Sequence, residues 1–357
     1  MITRVNNNRG RRFLNPLEVE AQYHTEDRTT NPDLLLWIDF TDNTSLLNSS
    51  SAQVSHNEKI EIAMNKSHLI TTSNAGTVSA GEKALCQFII QATSSKQPTW
   101  IEKTDGTPSY AQFDGNDFLM AAGSAGRSSA SNFSTSTIDS EKFTAYFVCE
   151  RDEPDSEQRQ DVFFLTDNTF GGTGDTIPEH WMSFYFGDDN KGIFEMVNLN
   201  ASNPNKYAYT QYDEADDGDL HYHMFNAYET YSNVANYGSL QADGVFHQFT
   251  ESYDYNELAN PGFGMLLGEQ GTFTLEYDFS GTSTHHSSVT VGGKPKIGSS
   301  APVGTFKGKI YEILVFKSEH AGPNILDVLF FNKNFKRRWS NMLYYFQRKY
   351  QFITPKN

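Results

Sequence analysis

The hydrophobic positions of this chain fall in short runs, most of them of strand length. Leu34 to Phe40, Leu85 to Gln91, Lys142 to Glu150, Asp161 to Thr166, Trp181 to Phe186, Gly192 to Val197, Val245 to Thr250, Gly271 to Phe279 and Phe306 to Phe316 are rich in branched and aromatic residues. That composition at that length predicts β-strands. Lys59 to Ile62 reads as a shorter strand. Between the runs stand Asp42-Asn43-Thr44-Ser45, Asp114-Gly115-Asn116-Asp117 and Gly187-Asp188-Asp189-Asn190-Lys191, residues that tolerate positive φ and close antiparallel connections. The piece Phe143-Thr144-Ala145-Tyr146-Phe147-Val148-Cys149 is apolar at both alternating sets of positions, which predicts a strand covered on both faces.

After residue 320 the period changes. Ile325, Leu326, Leu329, Phe330, Trp339, Leu343 and Phe346 fall near helical spacing behind Pro323-Asn324, so a C-terminal helix packed on the sheet is expected. Residues 1–32 are polar, rich in Asn and Arg, and end at Asn31-Pro32, where proline holds its neighbour extended. They read as an N-terminal arm or linker. A β-sandwich often exceeds the usual domain size, so residues 33–320 read as one domain and 321–357 as its basic helix. Residues 200–244 stand out inside it as a tyrosine-rich insertion.

The order of segments resembles the concanavalin A-like lectin/glucanase (laminin G-type) jelly rolls, of the kind found in phage virion and tail proteins. The residues that carry the resemblance are Pro98-Thr99-Trp100-Ile101, Thr107-Pro108, Phe113-Asp114-Gly115-Asn116-Asp117-Phe118, and Val245-Phe246-His247-Gln248-Phe249-Thr250 leading to Tyr253-Asp254. With them go Tyr277-Asp278-Phe279-Ser280-Gly281, Lys296-Ile297-Gly298 and Phe306-Lys307-Gly308-Lys309-Ile310-Tyr311-Glu312. The resemblance implies an all-β, concanavalin A-like jelly-roll β-sandwich with an extended N-terminal arm and a C-terminal helix. It further implies a virion protein, made in the host cytoplasm and oligomeric in the particle, whose partners are other virion proteins and host surface polysaccharide.

Charge sharpens this picture. The formal net charge is −16, yet residues 1–12 carry Arg4, Arg9, Arg11 and Arg12 with no acid, and residues 332–357 carry seven Lys and Arg with no acid. The remaining body holds 17 Lys and Arg against 44 Asp and Glu, a net −27. Nucleic-acid binding needs a basic face that releases counterions, so no nucleic-acid partner is expected. Two readings of the ends stay open: they fold back on the acidic body, or Arg4, Arg9, Arg11, Arg12, Lys336, Arg337 and Arg338 dock on the virion. Cys86 and Cys149 are the two cysteines and read as buried free thiols rather than a disulfide framework. No signal-type apolar segment follows the N-terminal arginines and no 18 apolar residues run together, so membrane insertion is not expected.

The chemistry that remains is that of binding. Tyr207, Tyr209, Tyr212, Tyr222, Tyr228 and Tyr231 lie among Asn, Asp and Ser in the 200–244 segment and are the candidates for contact with carbohydrate or a partner protein, or for packing. Asp213, Asp216, Asp217 and Asp219 surround a glycine; calcium is their candidate ion, although no cofactor is required and a solvated acidic loop is the plainer reading. His221 and His223 share one face of a strand, the spacing of a transition-metal pair. Glycoside hydrolysis needs two facing carboxylates, and the nearest strand match, Glu251 to Glu257, puts Glu251 and Asp254 on opposite faces. A non-enzymatic adhesion protein is therefore expected, with a glycan-depolymerising hydrolase and a purely structural virion module as alternatives.

Overall fold

The computed structural model describes residues 34–67, 86, 88–121, 143–152, 159–166, 180–187, 192–198, 206–212, 220–228, 237–242, 245–247, 251–254, 289–294, 304–316, 342, 345, 346 and 348–350. Its strands, in chain order, are β1 (Leu34–Asp39), β2 (Leu46–Leu47), β3 (Ile62–Met64), β4 (Phe88–Ile90), β5 (Thr99–Ile101), β6 (Tyr110–Asp114), β7 (Leu119–Met120), β8 (Phe143–Arg151) and β9 (Gln160–Thr166). They continue as β10 (His180–Phe186), β11 (Gly192–Asn198), β12 (Lys206–Tyr212), β13 (His221–Tyr228), β14 (Tyr237–Ala242), β15 (Val245–His247), β16 (Glu251–Asp254), β17 (Val289–Val291) and β18 (Lys307–Phe316). A short helix, α1, carries residues 342, 345, 346 and 348–350.

Among the described residues the strands form two antiparallel sheets stacked as a sandwich. The first runs β15-β14-β13-β8-β18-β6-β5, and β1 pairs with the far half of β18 beside β6. The second runs β16-β12-β11-β10-β9-β17-β7-β4-β3-β2. The core between them takes Leu36, Ile38, Phe113, Phe147, Ile313 and Val315 from the first sheet and Ala63, Ile89, Leu119, Phe163, Phe184, Phe194 and Val291 from the second. Phe147 stacks on Phe184 at 4.7 Å across the two layers. Alternation along each strand produces this division, because successive side chains leave opposite faces.

The all-β sandwich expected from the hydrophobic runs is thus the observed fold. Several expected strands appear nearly residue for residue, among them β1, β8, β9, β10, β11 and β18, whereas Gly271 to Phe279 lies outside the described residues. The segment 200–244, expected as an insertion, departs from expectation: it supplies β12 to the second sheet and β13 and β14 to the first. Its tyrosines hid this, because Tyr packs in strands as readily as it decorates loops.

The Phe-Asp-Gly-Asn-Asp turn serves the scaffold. Phe113 and Phe118 are buried, and Gly115 at φ +90° makes the reversal that an L side chain rarely adopts. The Asn116 amide donates to Asp114 Oδ1 at 2.9 Å and the Asp114 amide to Asp117 Oδ2 at 3.2 Å. The Gly115 amide donates to the Phe306 carbonyl at 3.1 Å, which pins the turn beside the start of β18.

A helix closes the outer face of the first sheet. Met342, Tyr345, Phe346 and Tyr350 of α1 pack on Trp37, Tyr146, Val148, Tyr222, Tyr311 and Phe316. This is why β8 is apolar on both faces: Ala145, Phe147 and Cys149 point into the sandwich, while Tyr146 and Val148 point under the helix. Along the side of β1 away from β18, side chains stand in for a further strand. Asn65 accepts from the Trp37 amide at 2.8 Å through Oδ1 and donates to the Leu35 carbonyl at 3.1 Å, and the Ser67 hydroxyl donates to the Leu34 carbonyl. A satisfied edge does not recruit another chain.

Candidate functional site

Each sheet has one outer face, and the two differ in chemistry. The first is filled at its centre by a buried charge network beneath α1. The register between β18 and β8 shifts at Ile310/Glu312, a β-bulge that turns Tyr311 and Glu312 to the same side. Glu312, fully buried, accepts from Trp37 Nε1 at 2.7 Å, Tyr345 Oη at 2.6 Å and Tyr350 Oη at 2.8 Å. Lys349 Nζ lies 3.0 Å from both Glu312 Oε2 and Asp39 Oδ1. Lys66 Nζ then joins Asp39 at 2.8 Å to Asp42 at 2.7 Å.

Burial pushes the Asp39 carboxyl up, but the Lys349 and Lys66 ammonium groups more than offset it and hold its pKa at about 2. Burial likewise opposes the charge on Lys66, yet Asp39 and Asp42 raise its pKa above the ordinary value. Burial and the neighbouring Glu312 carboxylate raise the Tyr345 and Tyr350 hydroxyls well above the usual phenol range. The buried carboxylates are met by donors, as a stable buried network requires. The arrangement locks a helix to a sheet. Lys349, a member of the basic C-terminal segment, is accounted for inside the molecule.

The second sheet offers a different face. Met182, Phe184 and Phe194 enter the core, so Trp181, Ser183 and Tyr185 of β10 and Ile193, Glu195 and Val197 of β11 take positions on the outer face. The register carries that face onto β12 as Tyr207, Tyr209 and Gln211, and onto β16 as Glu251 and Tyr253. Two cross-strand rows result. One reads Ser183-Glu195-Tyr209-Glu251 and the next reads Trp181-Val197-Tyr207-Tyr253. An interior strand makes a wide pair on one side and a narrow pair on the other, so positions 195 and 251 stand about 10 Å apart at Cα on either side of Tyr209.

The described side chains of this face are buried from β17 to β11: Thr290, Phe164, Ser183, Tyr185 and Ile193. Arg159 lies over the Tyr185 ring at 3.6 Å, donates to Ser183 Oγ at 3.2 Å and pairs with the buried Asp161 at 2.7 Å. Lys294 sits over Phe164 at 5.5 Å. Arg159 and Lys294 thus gather at one end of the face, while the β11-β12-β16 end carries the two Glu positions.

The tyrosines expected to act together are divided. Tyr207 and Tyr209 share the outer face of the second sheet, and Tyr212, opposite Gly192, alternates away from them. Tyr222 lies in the other sheet, where it is buried and stacks on Phe346 at 5.2 Å; its place under α1 corrects its reading as a ligand contact. Tyr228 pairs in register with Tyr237 of β14. Tyr231, the acidic group Asp213, Asp216, Asp217 and Asp219, and the docking candidates Arg4, Arg9, Arg11, Arg12, Lys336, Arg337 and Arg338 lie outside the described residues. His221 and His223 do share a face, with ring centroids 6.0 Å apart. His223 is wholly buried against Phe184 and Phe186, and burial holds its pKa well below the usual value. Among the described residues no three His, Cys, Asp or Glu group so as to hold a metal ion. Both cysteines are buried free thiols.

Sequence reasoning missed Trp181, Glu195 and Tyr253 as companions of Tyr207 and Tyr209. Their alternation was present in β10 and β11, but the pairing of β12 with β16 joins residues about 45 positions apart.

No protein-family model matches the chain, and a search of curated proteins finds no match. Solved structures similar to it include tailspike protein 2 from the Escherichia coli O157:H7 bacteriophage CAB120, at 11% identity, TM-score 0.31, covering 68% of this chain and 27% of that one. A mutant of NanB sialidase from Streptococcus pneumoniae aligns at 16% identity, TM-score 0.32, over 51% of this chain and 24% of that one. Domains LG4-5 of the mouse laminin alpha1 chain align at 9% identity, TM-score 0.27, over 50% and 38%. The chain thus spans about a quarter to two-fifths of the length of these structures.

Proposed function

We propose that this chain is a non-enzymatic, lectin-like adhesion module of a phage virion, a capsid decoration, tail or fibre-associated component. It binds host surface polysaccharide on the second sheet, where the cross-strand rows reach β12 and β16. The observation that carries the reading is the row Trp181-Val197-Tyr207-Tyr253 beside Glu195-Tyr209-Glu251. Sugars are held by aromatic platforms against their C–H faces and by acceptors for their hydroxyls, and the strand register sets both residue types at adjacent positions. The order of sequence segments supplies the virion setting.

A second reading has its own observation. Glu195 and Glu251 hold the register positions that flank Tyr209, and glycoside hydrolysis uses a pair of carboxylates. One assay separates the two. Incubation with host polysaccharides should give binding without shortening of the polymer, and Trp181→Ala with Tyr207→Ala should weaken that binding roughly thirty-fold, the loss of about 2 kcal/mol expected for a central aromatic contact. Shortening that disappears in Glu195→Gln or Glu251→Gln would make the protein a hydrolase.

A further inference from the structure

Alternation along β13 sends Tyr222 and Met224 under α1 and His223 into the space between the sheets. There His223 is wholly buried. Its ring lies 5.0 Å from Phe184 and 5.6 Å from Phe186, both on β10 of the opposite layer. Among the described residues neither Nδ1 nor Nε2 has a hydrogen-bond partner. A neutral imidazole carries one N–H donor and one bare acceptor, and leaving both unmet in a core costs stability. Charging the ring there costs far more.

The titratable groups around it offer no counter-charge. On β13 itself, His221 stands on the same side with ring centroids 6.0 Å apart. From β8, the core-facing set continues through Cys149 to Arg151, whose guanidinium lies 5.7 Å from the centre of the same Phe186 ring. Strand β10 presents the Phe184 and Phe186 rings, and β14 meets His223 at Ala242. Asp161, the buried acid of β9, is taken by Arg159 at 2.7 Å, and Glu150 of β8 pairs with Lys309.

We propose that His223 makes the β13-β14-β15 end of the first sheet an acid-released flap, which opens when the imidazole takes up a proton. Among the described residues these three strands join the rest of their sheet through the pairing of β13 with β8, so they can leave without breaking its β8-β18-β6 centre. A proton on the buried ring sits among aromatic side chains with His221 and Arg151 at hand, so the charged form is stable only where water reaches it. Burial, with a smaller contribution from His221, holds the folded pKa well below the ordinary 6.5. The folded chain therefore binds this proton more weakly than the unfolded chain does. The stabilisation is present above about pH 6.5 and is lost as pH falls below it. Opening also draws Tyr222 off Phe346, on which it stacks at 5.2 Å, and bares the apolar interior around Phe184.

Hydrogen exchange on the unaltered full chain at about pH 7.5 and about pH 5, corrected for the intrinsic pH dependence of exchange, tests the flap. Peptides covering β13, β14 and β15 should lose protection at least about tenfold more than those covering β1 and β18. A uniform change across the sheet, or none, overturns the proposal. His223→Gln and His223→Phe remove the proton site. From about pH 7.5 to about pH 5, the unfolding constant of the unaltered chain in urea should rise roughly thirty-fold relative to either variant. Asp117 and Asp39 contribute equally to both chains and cancel in that ratio. A ratio that stays constant with pH overturns the role of His223, and if neither variant folds, the exchange pattern of the unaltered chain decides.

Discussion

Asp117 has a side chain only 1% exposed, with one oxygen accepting from the Asp114 amide and the other 3.8 Å from Lys59 Nζ, outside hydrogen-bond reach. Burial, with a further contribution from Asp114, pushes its carboxyl up to about 7 against the opposing charge of Lys59. A folded pKa above the unfolded one means that the folded state holds its proton more tightly. The stabilisation is complete below about pH 4 and is lost as pH rises to about 7. Asp117→Asn should therefore raise stability by about 2 kcal/mol at pH 8 and change it little at pH 4, checked by urea unfolding at both values. The sequence marked this turn by its Asp and Gly residues, and the order of segments pointed to a scaffold role. That Asp117 rather than Asp114 would be buried was not legible, because the burial comes from Phe118 folding under the loop that presents Lys96, whose carbonyl accepts from the Phe118 amide at 3.1 Å.

At the scale of elements, α1 and β18 depend on each other. The helical period that reaches Phe346 and the runs of β18 were both legible, since periods of 3.6 and 2 are written locally; Ile325, Leu326, Leu329, Phe330, Trp339 and Leu343 lie outside the described residues. The bulge at Tyr311 and Glu312 was not, because it is a property of the pairing with β8. It is this bulge that brings Glu312 beneath Lys349, Tyr345 and Tyr350. Asp39 is held at about pKa 2 by Lys349 and Lys66 despite burial, so its contribution to stability is present above about pH 4 and lost as pH falls toward about 2. We expect α1 to loosen in that window, with Trp37, 7% exposed under the helix, reporting the change by fluorescence. Lys349→Met removes one of the cations and should move the transition to higher pH. An unchanged transition would mean that the network does not hold the helix.

For the whole molecule, the sandwich leaves an asymmetric particle: an acidic body, one outer face locked by a helix, and another carrying aromatic and Glu positions. The basic residues 1–12 suit attachment to an acidic partner surface, and under the virion role proposed above deletion of residues 1–12 should lower incorporation into particles severalfold, measured by the protein content of purified virions. Incorporation at the parental level would remove the arm from docking. What the amino-acid sequence determined by itself was the β class, many of the strands, the turn at Asp114, the terminal helix and the separation of basic ends from an acidic body. These are readable because alternation, turn chemistry and charge act over a few residues. What only the tertiary structure decided was the use of 206–212, 221–228 and 237–242 as strands shared between both sheets, the burial of Tyr222, and the register that aligns the positions of Trp181, Glu195, Tyr207, Tyr209, Glu251 and Tyr253. Those follow from strand order and register, which are set by which distant segments bury their apolar sides together, and no local pattern encodes that choice.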